Sequence, residues 1–320
     1  MKRFKKILVG VDLADGERLV SSNLKEPSKD AVERAIWLAK AGSAHLTFYY
    51  VLPSWAANQD ASAAVPLDEG YDKRTVEDHA KEVMVDFVDQ ARSQGVVAES
   101  RVGYGRSWIE IIRQVIRADH DLVIVGAKDP NGVKQFLTGS TEIKLLRKCP
   151  CAVWVTQPRA DHVVESILVA HDLSPVADLA MELGCSMAQM HDSQLHVVHA
   201  AEYPEMDRMF PARVSAESAA NYRREAEGHI AAQLRRFDLL GRAHVHLETR
   251  APAFAIWHCI EDNNIDLVVM GTVARTGVPG LITGNTAERL LPLIPCSILA
   301  VKPAGFESPI SLDSAASSGS

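Results

Sequence analysis

The same stretch occurs twice in this chain, 145 residues apart, and no other feature limits its fold as much. Asp121-Leu122-Val123 returns as Asp266-Leu267-Val268, and Gly126 returns as Gly271. Gly132-Val133 matches Gly277-Val278, Thr138-Gly139 matches Thr283-Gly284, and Thr141 matches Thr286. Leu145-Leu146 and Pro150-Cys151 return as Leu290-Leu291 and Pro295-Cys296. Each copy thus holds an apolar run, a glycine-rich loop, and a small residue opening an amphipathic helix. A chain of 320 residues fits two domains of ordinary size. The repeat assigns residues 1–158 to the first and 159–304 to the second. Residues 305–320 end in Ser, Ala and Gly and are expected to form a disordered tail.

Inside each copy, strand patterns alternate with helical ones. In the first, β character is expected at Lys6–Val11, His45–Leu52, Val97–Val102, Asp121–Val125 and Cys151–Thr156. Helical period is expected over Lys29–Ala41, Tyr71–Gln94 and Ser107–Ala118, and from Ser140 onward. In the second, strands are expected at Ser166–His171, Gln194–Ala200, His244–Thr249, Asp266–Met270 and Ser297–Val301. Its helices are expected at Val176–Met190, Ala216–Phe237, Phe254–Asp262 and Thr286–Leu293. Asp121–Val125 is apolar without alternation, as a central parallel strand covered on both faces requires. Such alternation implies right-handed crossovers and a doubly wound α/β fold in each half. Asp12 and Tyr50 are 38 positions apart, their counterparts Asp172 and His199 only 27, so the first copy carries an insertion. The polar stretch Ala14–Ser28 is its natural place, and Asn58–Asp72 takes a second, shorter one.

Charge and cysteine content work by exclusion. A net charge of -7 gives no sequence-independent affinity for nucleic acid and no pull toward anionic membranes. Met1-Lys2-Arg3-Phe4-Lys5-Lys6 looks like the basic start of a signal peptide, but the apolar run behind it stops at Asp12. It reads instead as a first strand with a basic lead-in. No apolar run approaches the length of a membrane span. Five cysteines, odd in number and mostly in apolar contexts, suit a reducing cytoplasm rather than a disulfide framework.

In an open parallel sheet, ligands sit beyond the carboxyl ends of the strands, at the point where strand order reverses. Three things converge there in each half. The first strand ends in Asp12 or Asp172, the fourth in Gly126 or Gly271, and a helix begins just after Gly139 or Gly284. Glycine lets the backbone approach a phosphate, and a helix N-terminus offers unpaired N–H groups and a positive dipole end. A carboxylate at the end of the first strand can accept hydrogen bonds from a ribose or an adenine amino group. The same residues also serve plain architecture, because glycine after a strand and Ser, Thr or Asn at a helix start are ordinary turn and cap chemistry. Duplication copies structure as readily as function, and the two aspartates can equally be caps.

The halves resemble universal stress protein domains of the tandem type. Nucleotide-binding members of that family carry Gly-x-x-Gly, nine residues, then Gly-Ser or Gly-Thr. The first half has Gly126-Ala127-Lys128-Asp129, nine residues, then Gly139-Ser140; the second has Gly271-Thr272-Val273-Ala274, nine residues, then Gly284-Asn285. The resemblance covers nearly the whole of both halves. It implies two Rossmann-like domains of the adenine nucleotide alpha hydrolase type, and a stress-response binding and signalling role. ATP or another adenine nucleotide, with Mg, is the implied ligand. In the second half it implies a site at Asp172, Ala200, Met270, Gly271, Ala274, Arg275, Gly284, Asn285 and Thr286. In the first it implies Asp12, Val51, Val125, Gly126, Asp129, Gly139, Ser140 and Thr141. Asp129 stands where the pattern has glycine, and its carboxylate repels a triphosphate unless Lys128 or Lys134 neutralises it. Ala274 adds only a methyl, beside Arg275 as a phosphate partner. The second half is therefore the expected nucleotide site and the first the degenerate copy. Family members pair through their last strands, so Cys151–Thr156 and Ser297–Val301 are expected to join the halves as an intramolecular pseudo-dimer, which also protects two sheet edges.

Other constellations give less. Nine of the twelve histidines follow residue 160, among them His171, His196, His199, His229, His244, His246 and His258. Histidine and cysteine are zinc ligands, yet no Cys-x-x-Cys or His-x-x-x-His spacing occurs, and scattered structural histidines are the expectation. No Gly-x-Ser-x-Gly elbow, Walker sequence or Rossmann glycine fingerprint is present. The rivals to nucleotide-dependent signalling are a pure interaction or scaffold protein, and a weak ATPase with or without zinc. Gly103-Tyr104-Gly105-Arg106-Ser107 is expected to turn the chain into the third helix with Ser107 as cap, and Trp108 and Trp257 to pack in a core or interface.

Overall fold

The computed structural model describes residues 4–57, 76–127, 140–158, 164–200, 216–272, 287 and 290–312. The chain forms two compact units, Met1–His162 with Gly305–Ser320, and Val163–Ala304.

Unit 1 runs β1 (Lys6–Gly10), α1 (Glu26–Gly42), β2 (His45–Leu52), a 3-10 turn (Ser54–Ala57), α2 (Val76–Ser93), β3 (Ala98–Tyr104), α3 (Ser107–Ala118), β4 (Leu122–Gly126), α4 (Ser140–Lys148) and β5 (Ala152–Thr156). Its strands lie in the order β3-β2-β1-β4-β5, all parallel. Unit 2 runs β6 (Ser166–Ala170), α5 (Pro175–His191), β7 (Gln194–Ala200), α6 (Ala216–Arg236), β8 (His244–Glu248), α7 (Pro252–Asp262), β9 (Leu267–Gly271), a 3-10 turn (Leu291–Leu293) and β10 (Ser297–Val301). Its order, β8-β7-β6-β9-β10, is the same topology. In both units the order reverses beside the first strand, between β1 and β4 and between β6 and β9.

The apolar runs form the central strands because both their faces are covered. Ile7, Leu8, Val9, Leu122, Val123 and Ile124 are fully buried, as are Ile167, Leu168, Val169, Leu267, Val268 and Val269. Each such side chain contributes about 1.5–3 kcal/mol relative to exposure. Helix α1 turns Ala31, Ala35, Ile36, Leu38 and Ala39 onto that sheet, a face at helical spacing. The repeated aspartates belong to the opposite end of the sheet from the glycines. Asp121 accepts hydrogen bonds from the backbone N–H groups of Lys5 (2.6 Å) and Lys6 (3.1 Å). Asp266 accepts from Glu165 (2.7 Å) and Ser166 (3.0 Å). Each thereby ties the start of the fourth strand to the start of the first.

Several expectations are corrected. Ser107 is the first helical residue of α3 rather than its cap; Arg106 holds the cap position without a side-chain bond. Neither Trp108 nor Trp257 lies in a core. Trp108 is half-buried beneath the ammonium groups of Lys144 and Lys148, at 5.3 and 4.9 Å from its ring centre, and Trp257 is exposed. Trp154 is the fully buried tryptophan, with the Arg34 guanidinium 5.9 Å from its ring centre. The end of the expected helix Thr286–Leu293 is a 3-10 turn containing Pro292, and Thr286 lies outside the described residues. The tail was expected to be disordered, but Gly305–Leu312 is described and belongs to unit 1, where the Ser311 carbonyl accepts a bond from Arg113 (3.4 Å). The Asn58–Asp72 insertion lies outside the described residues. Among those that are described, no helix is long and apolar enough to cross a membrane.

Candidate functional site

Parallel register brings the predicted residues to one end of each sheet. In unit 1, Gly10 pairs with Tyr49 on one side and Val125 on the other, so Asp12, Val51, Val125 and Gly126 share the carboxyl-terminal rim. In unit 2, Ala170 pairs with Val198 and Met270, which sets Asp172, Ala200, Met270 and Gly271 on the equivalent rim. Ser140 and Thr141 begin α4, Thr141 half-buried. Asp129, Gly139, Ala274, Arg275, Gly284, Asn285 and Thr286 lie outside the described residues.

At that rim, the glycines have an architectural cause. A Cβ on Gly126 would sit 2.1 Å from the Pro27 carbonyl oxygen and 2.4 Å from its carbon. On Gly271 it would meet a Val176 methyl at 2.9 Å. Both glycines therefore let the first helix of their unit start close against the fourth strand. The aspartates also have local work. Asp12 accepts from the Ala14 N–H (3.1 Å), and Asp172 accepts from the Ser174 N–H (3.1 Å) and from the Ser174 hydroxyl. Ser174 in turn caps α5, accepting from the Ala177 N–H at 3.3 Å. Both are side-chain turns, and the one at Asp172 starts a helix.

The insertion in unit 1 is folded rather than loose. Leu13, Val20 and Ser21 are buried, Asp15 and Arg18 exchange a pair of backbone bonds, and the Tyr50 hydroxyl donates to the Leu19 carbonyl. The loop thus covers the end of β2 close to Asp12. Unit 2 makes the same connection in four residues, His171 to Ser174.

Unit 2 also gathers side chains that the spacing of its sequence did not reveal. His171, Asp178 and His229 converge, with Asp178 Oδ1 2.8 Å from His229 Nε2 and 3.3 Å from His171 Nε2. Gln233 donates to the same oxygen. His171 is buried and pushed down to about 4, chiefly by burial, against the pull of Asp178. Burial alone would raise the Asp178 carboxyl, but the bonds from His229 and Gln233 outweigh it and hold it low. A second group joins His196 on β7, His246 on β8 and Cys259 on α7. Zinc-finger and helical spacings miss it because its signal is His244-Val245-His246, the period of a strand, and because β7 and β8 must be in register to complete it.

The Universal stress protein family matches residues 3–157 and 164–302, one domain in each unit. The chain is 25% identical over 302 residues to universal stress protein E of Photorhabdus laumondii subsp. laumondii, covering 89% of this chain and 95% of that protein. It is 28% identical over 231 residues to universal stress protein E of Escherichia coli (strain K12), covering 68% and 72%. Its fold matches a universal stress protein from Pseudomonas aeruginosa UCBPP-PA14 with a TM-score of 0.65 at 21% identity, over 94% of each chain. With two doubly wound units that each match the family, this chain belongs to the universal stress protein family.

Proposed function

We propose that this is a stress-response binding and signalling protein of the cytoplasm whose second unit holds ATP or another adenine nucleotide, with Mg. The observation that carries the reading is the crevice position in unit 2. Asp172 and Gly271 lie on either side of the strand-order reversal, and Gly271 leads into the segment that ends in Gly284-Asn285-Thr286. The asymmetry between the units has a second support beyond Asp129, because the Leu13–Leu24 loop is packed over the matching rim of unit 1. Calorimetric titration with Mg-ATP, together with mass spectrometry of co-purified nucleotide, tests the proposal. Binding is expected to disappear in Gly284→Val and to survive in Gly139→Val. Absence of binding by the intact chain would favour the scaffold reading, and equal losses in both variants would remove the asymmetry.

The pairing of the last strands also remains our proposal. Within its own unit each of β5 and β10 has a neighbour on one side, β4 and β9. Mutual pairing would satisfy the other side. Amide hydrogen exchange along both strands is expected to be slow for alternate residues facing either way. Rapid exchange on the outer-facing amides of either strand would reject the pairing.

A further inference from the structure

We propose that His196, His246 and Cys259 form a binding site in unit 2 for a divalent cation of the zinc class. The inference does not depend on nucleotide binding. It begins with strand geometry. His196 on β7 pairs with His244 on β8, and alternation along β8 puts His244 and His246 on one face of the sheet. Helix α7 packs against β7 and brings in Cys259. One donor atom from each of His196, His246 and Cys259 lies within 4.8 Å of the other two. His196 Nδ1 is 3.1 Å from His246 Nε2, with the rings nearly parallel at 8°. Tetrahedral zinc with Zn–N bonds of about 2.0–2.1 Å separates two nitrogens by about 3.4 Å, so only a small opening is needed.

The chemistry of the donor set fits as well as its geometry. His196 is 4% exposed, and its Nδ1 faces His246 rather than solvent. Burial pushes His196 down to about 4 and lowers His246 too, so both rings are neutral and hold lone pairs at neutral pH. Burial pushes the Cys259 thiol up to about 12, with Glu248 and Asp262 adding to the effect. Binding therefore replaces the thiol proton with the cation: the S–H bond breaks, a sulfur–metal bond forms, and the proton leaves to solvent. Glu248, whose charge is felt by both His246 and Cys259, supplies negative potential that favours a dication. Water would complete a tetrahedral set as the fourth ligand. The exposed His244 ring, stacked on His196 with centres 4.8 Å apart, is a further nitrogen donor beside it.

Two comparisons within the molecule sharpen the assignment. The other convergent group, His171, Asp178 and His229, lacks a free lone pair where one is needed. His171 Nδ1 accepts from the Leu173 N–H (3.1 Å), so Nε2 carries the proton and donates to Asp178. Asp178 Oδ1 is already taken by three donors. In unit 1 the sheet positions matching His196, His244 and His246 hold Thr47, Glu99 and Arg101, and Gln114 precedes Asp121 by seven residues as Cys259 precedes Asp266. Glu99 and Arg101 form an ion pair there at 2.9 Å. The fold is thus satisfied by other residues at these positions, and the histidine–cysteine set is particular to unit 2.

The test is titration of the metal-free full chain with Co2+, followed by displacement with Zn2+. One cobalt per chain is expected, with visible bands of tetrahedral intensity and a near-ultraviolet thiolate-to-cobalt band that zinc abolishes. Cys259→Ser should remove the thiolate band, and His246→Ala should weaken binding about tenfold or more. His229→Ala and Gly284→Val should leave both unchanged, which separates this site from the other cluster and from nucleotide binding. His246→Gln, at a half-exposed position, repeats the histidine test should Cys259→Ser fail to fold. Absence of a thiolate band in the wild-type chain, or its persistence in Cys259→Ser, overturns the assignment. So does unchanged affinity in the His246 variants.

Discussion

The first helix of each unit carries an aspartate three residues after a proline, yet the two carboxylates face different partners. In unit 1, Asp30 is buried and paired with Arg34 one turn on, at 2.9 Å. In unit 2, Asp178 is 41% exposed and gathers His171, His229 and Gln233 from other elements. The sheets differ in the same sense, with Glu99–Arg101 in one and His196, His244 and His246 in the other. What the copies share is what topology demands: Asp121 and Asp266 at one end of the sheet, Gly126 and Gly271 at the other. What they do not share is how polar groups between helices and sheet are neutralised. Unit 1 uses permanent charges in pairs, while unit 2 uses imidazole rings, of which burial holds His171, His196 and His246 low.

The glycines offer the sharpest way to break the parallel. In Gly126→Ala the new methyl would overlap backbone atoms of Pro27, which can move only if α1 moves. We expect unit 1 to lose more than about 3 kcal/mol in chemical denaturation. In Gly271→Ala the obstacle is a Val176 methyl, which can rotate away, and the loss should be about 1 kcal/mol. Equal losses would mean that the two helix–strand contacts are not different after all.

Acid should separate the units next. His171 faces Asp178 from α5, His229 from α6, Asp172 beside it and His199 from β7, and burial depresses it to about 4. The unfolded chain holds the proton with a value near 6.5, so between these limits the unfolded state binds more protons. Stability from the neutral ring is complete above pH 6.5 and is lost as pH falls toward about 4, by at most about 3 kcal/mol. Unit 1 has Val11 at this position, buried and without charge. Unit 2 should therefore melt first as pH falls, and His171→Val should flatten its pH dependence. A slope unchanged in that variant would assign the acid sensitivity elsewhere.

Removing the shared aspartates should give a smaller and more even effect. Asp266→Ala leaves two strand-start N–H groups without their acceptor in a buried setting, a loss of about 2 kcal/mol. Asp121→Ala leaves the equivalent pair where water can reach, a loss of about 1 kcal/mol. Thermal unfolding of each variant would measure both, and a larger loss from Asp121→Ala would reverse the account.

The architecture was legible because it follows from periodicity and repetition. His45–Leu52, Gln194–Ala200 and Ser297–Val301 are strands at the expected residues. The repeat also located the rim on which Asp12, Asp172, Gly126 and Gly271 lie. What it could not distinguish was the cause of each repeated residue. Gly126 reads as a phosphate turn until Pro27 is seen against it. The histidines read as scattered because their meeting depends on β7–β8 register and on α7 lying above, and neither is visible in linear spacing. Trp108 escaped the core for a similar reason: Lys144 and Lys148, one turn apart on α4, cover it from another element.

The smallest expected difference concerns the helix starts. Ser174 accepts from the Ala177 N–H and is itself held by Asp172, so α5 begins with a side-chain cap. Helix α1 begins after Lys25, which makes no such bond, and Ser28 instead bridges to the Asp12 backbone at 3.2 and 3.3 Å. Ser174→Ala should cost unit 2 about 1 kcal/mol, whereas Lys25→Ala should leave unit 1 unchanged within about 0.5 kcal/mol. Ser174→Ala also removes the hydroxyl bond to the Asp172 carboxylate while keeping the backbone one. If that carboxylate meets a ribose or adenine in the crevice, Ser174→Ala should lower stability while leaving Mg-ATP affinity equal or tighter. A loss of affinity matching the loss of stability would instead mean that the capped turn positions Asp172, and that the aspartate serves the site through the turn it builds.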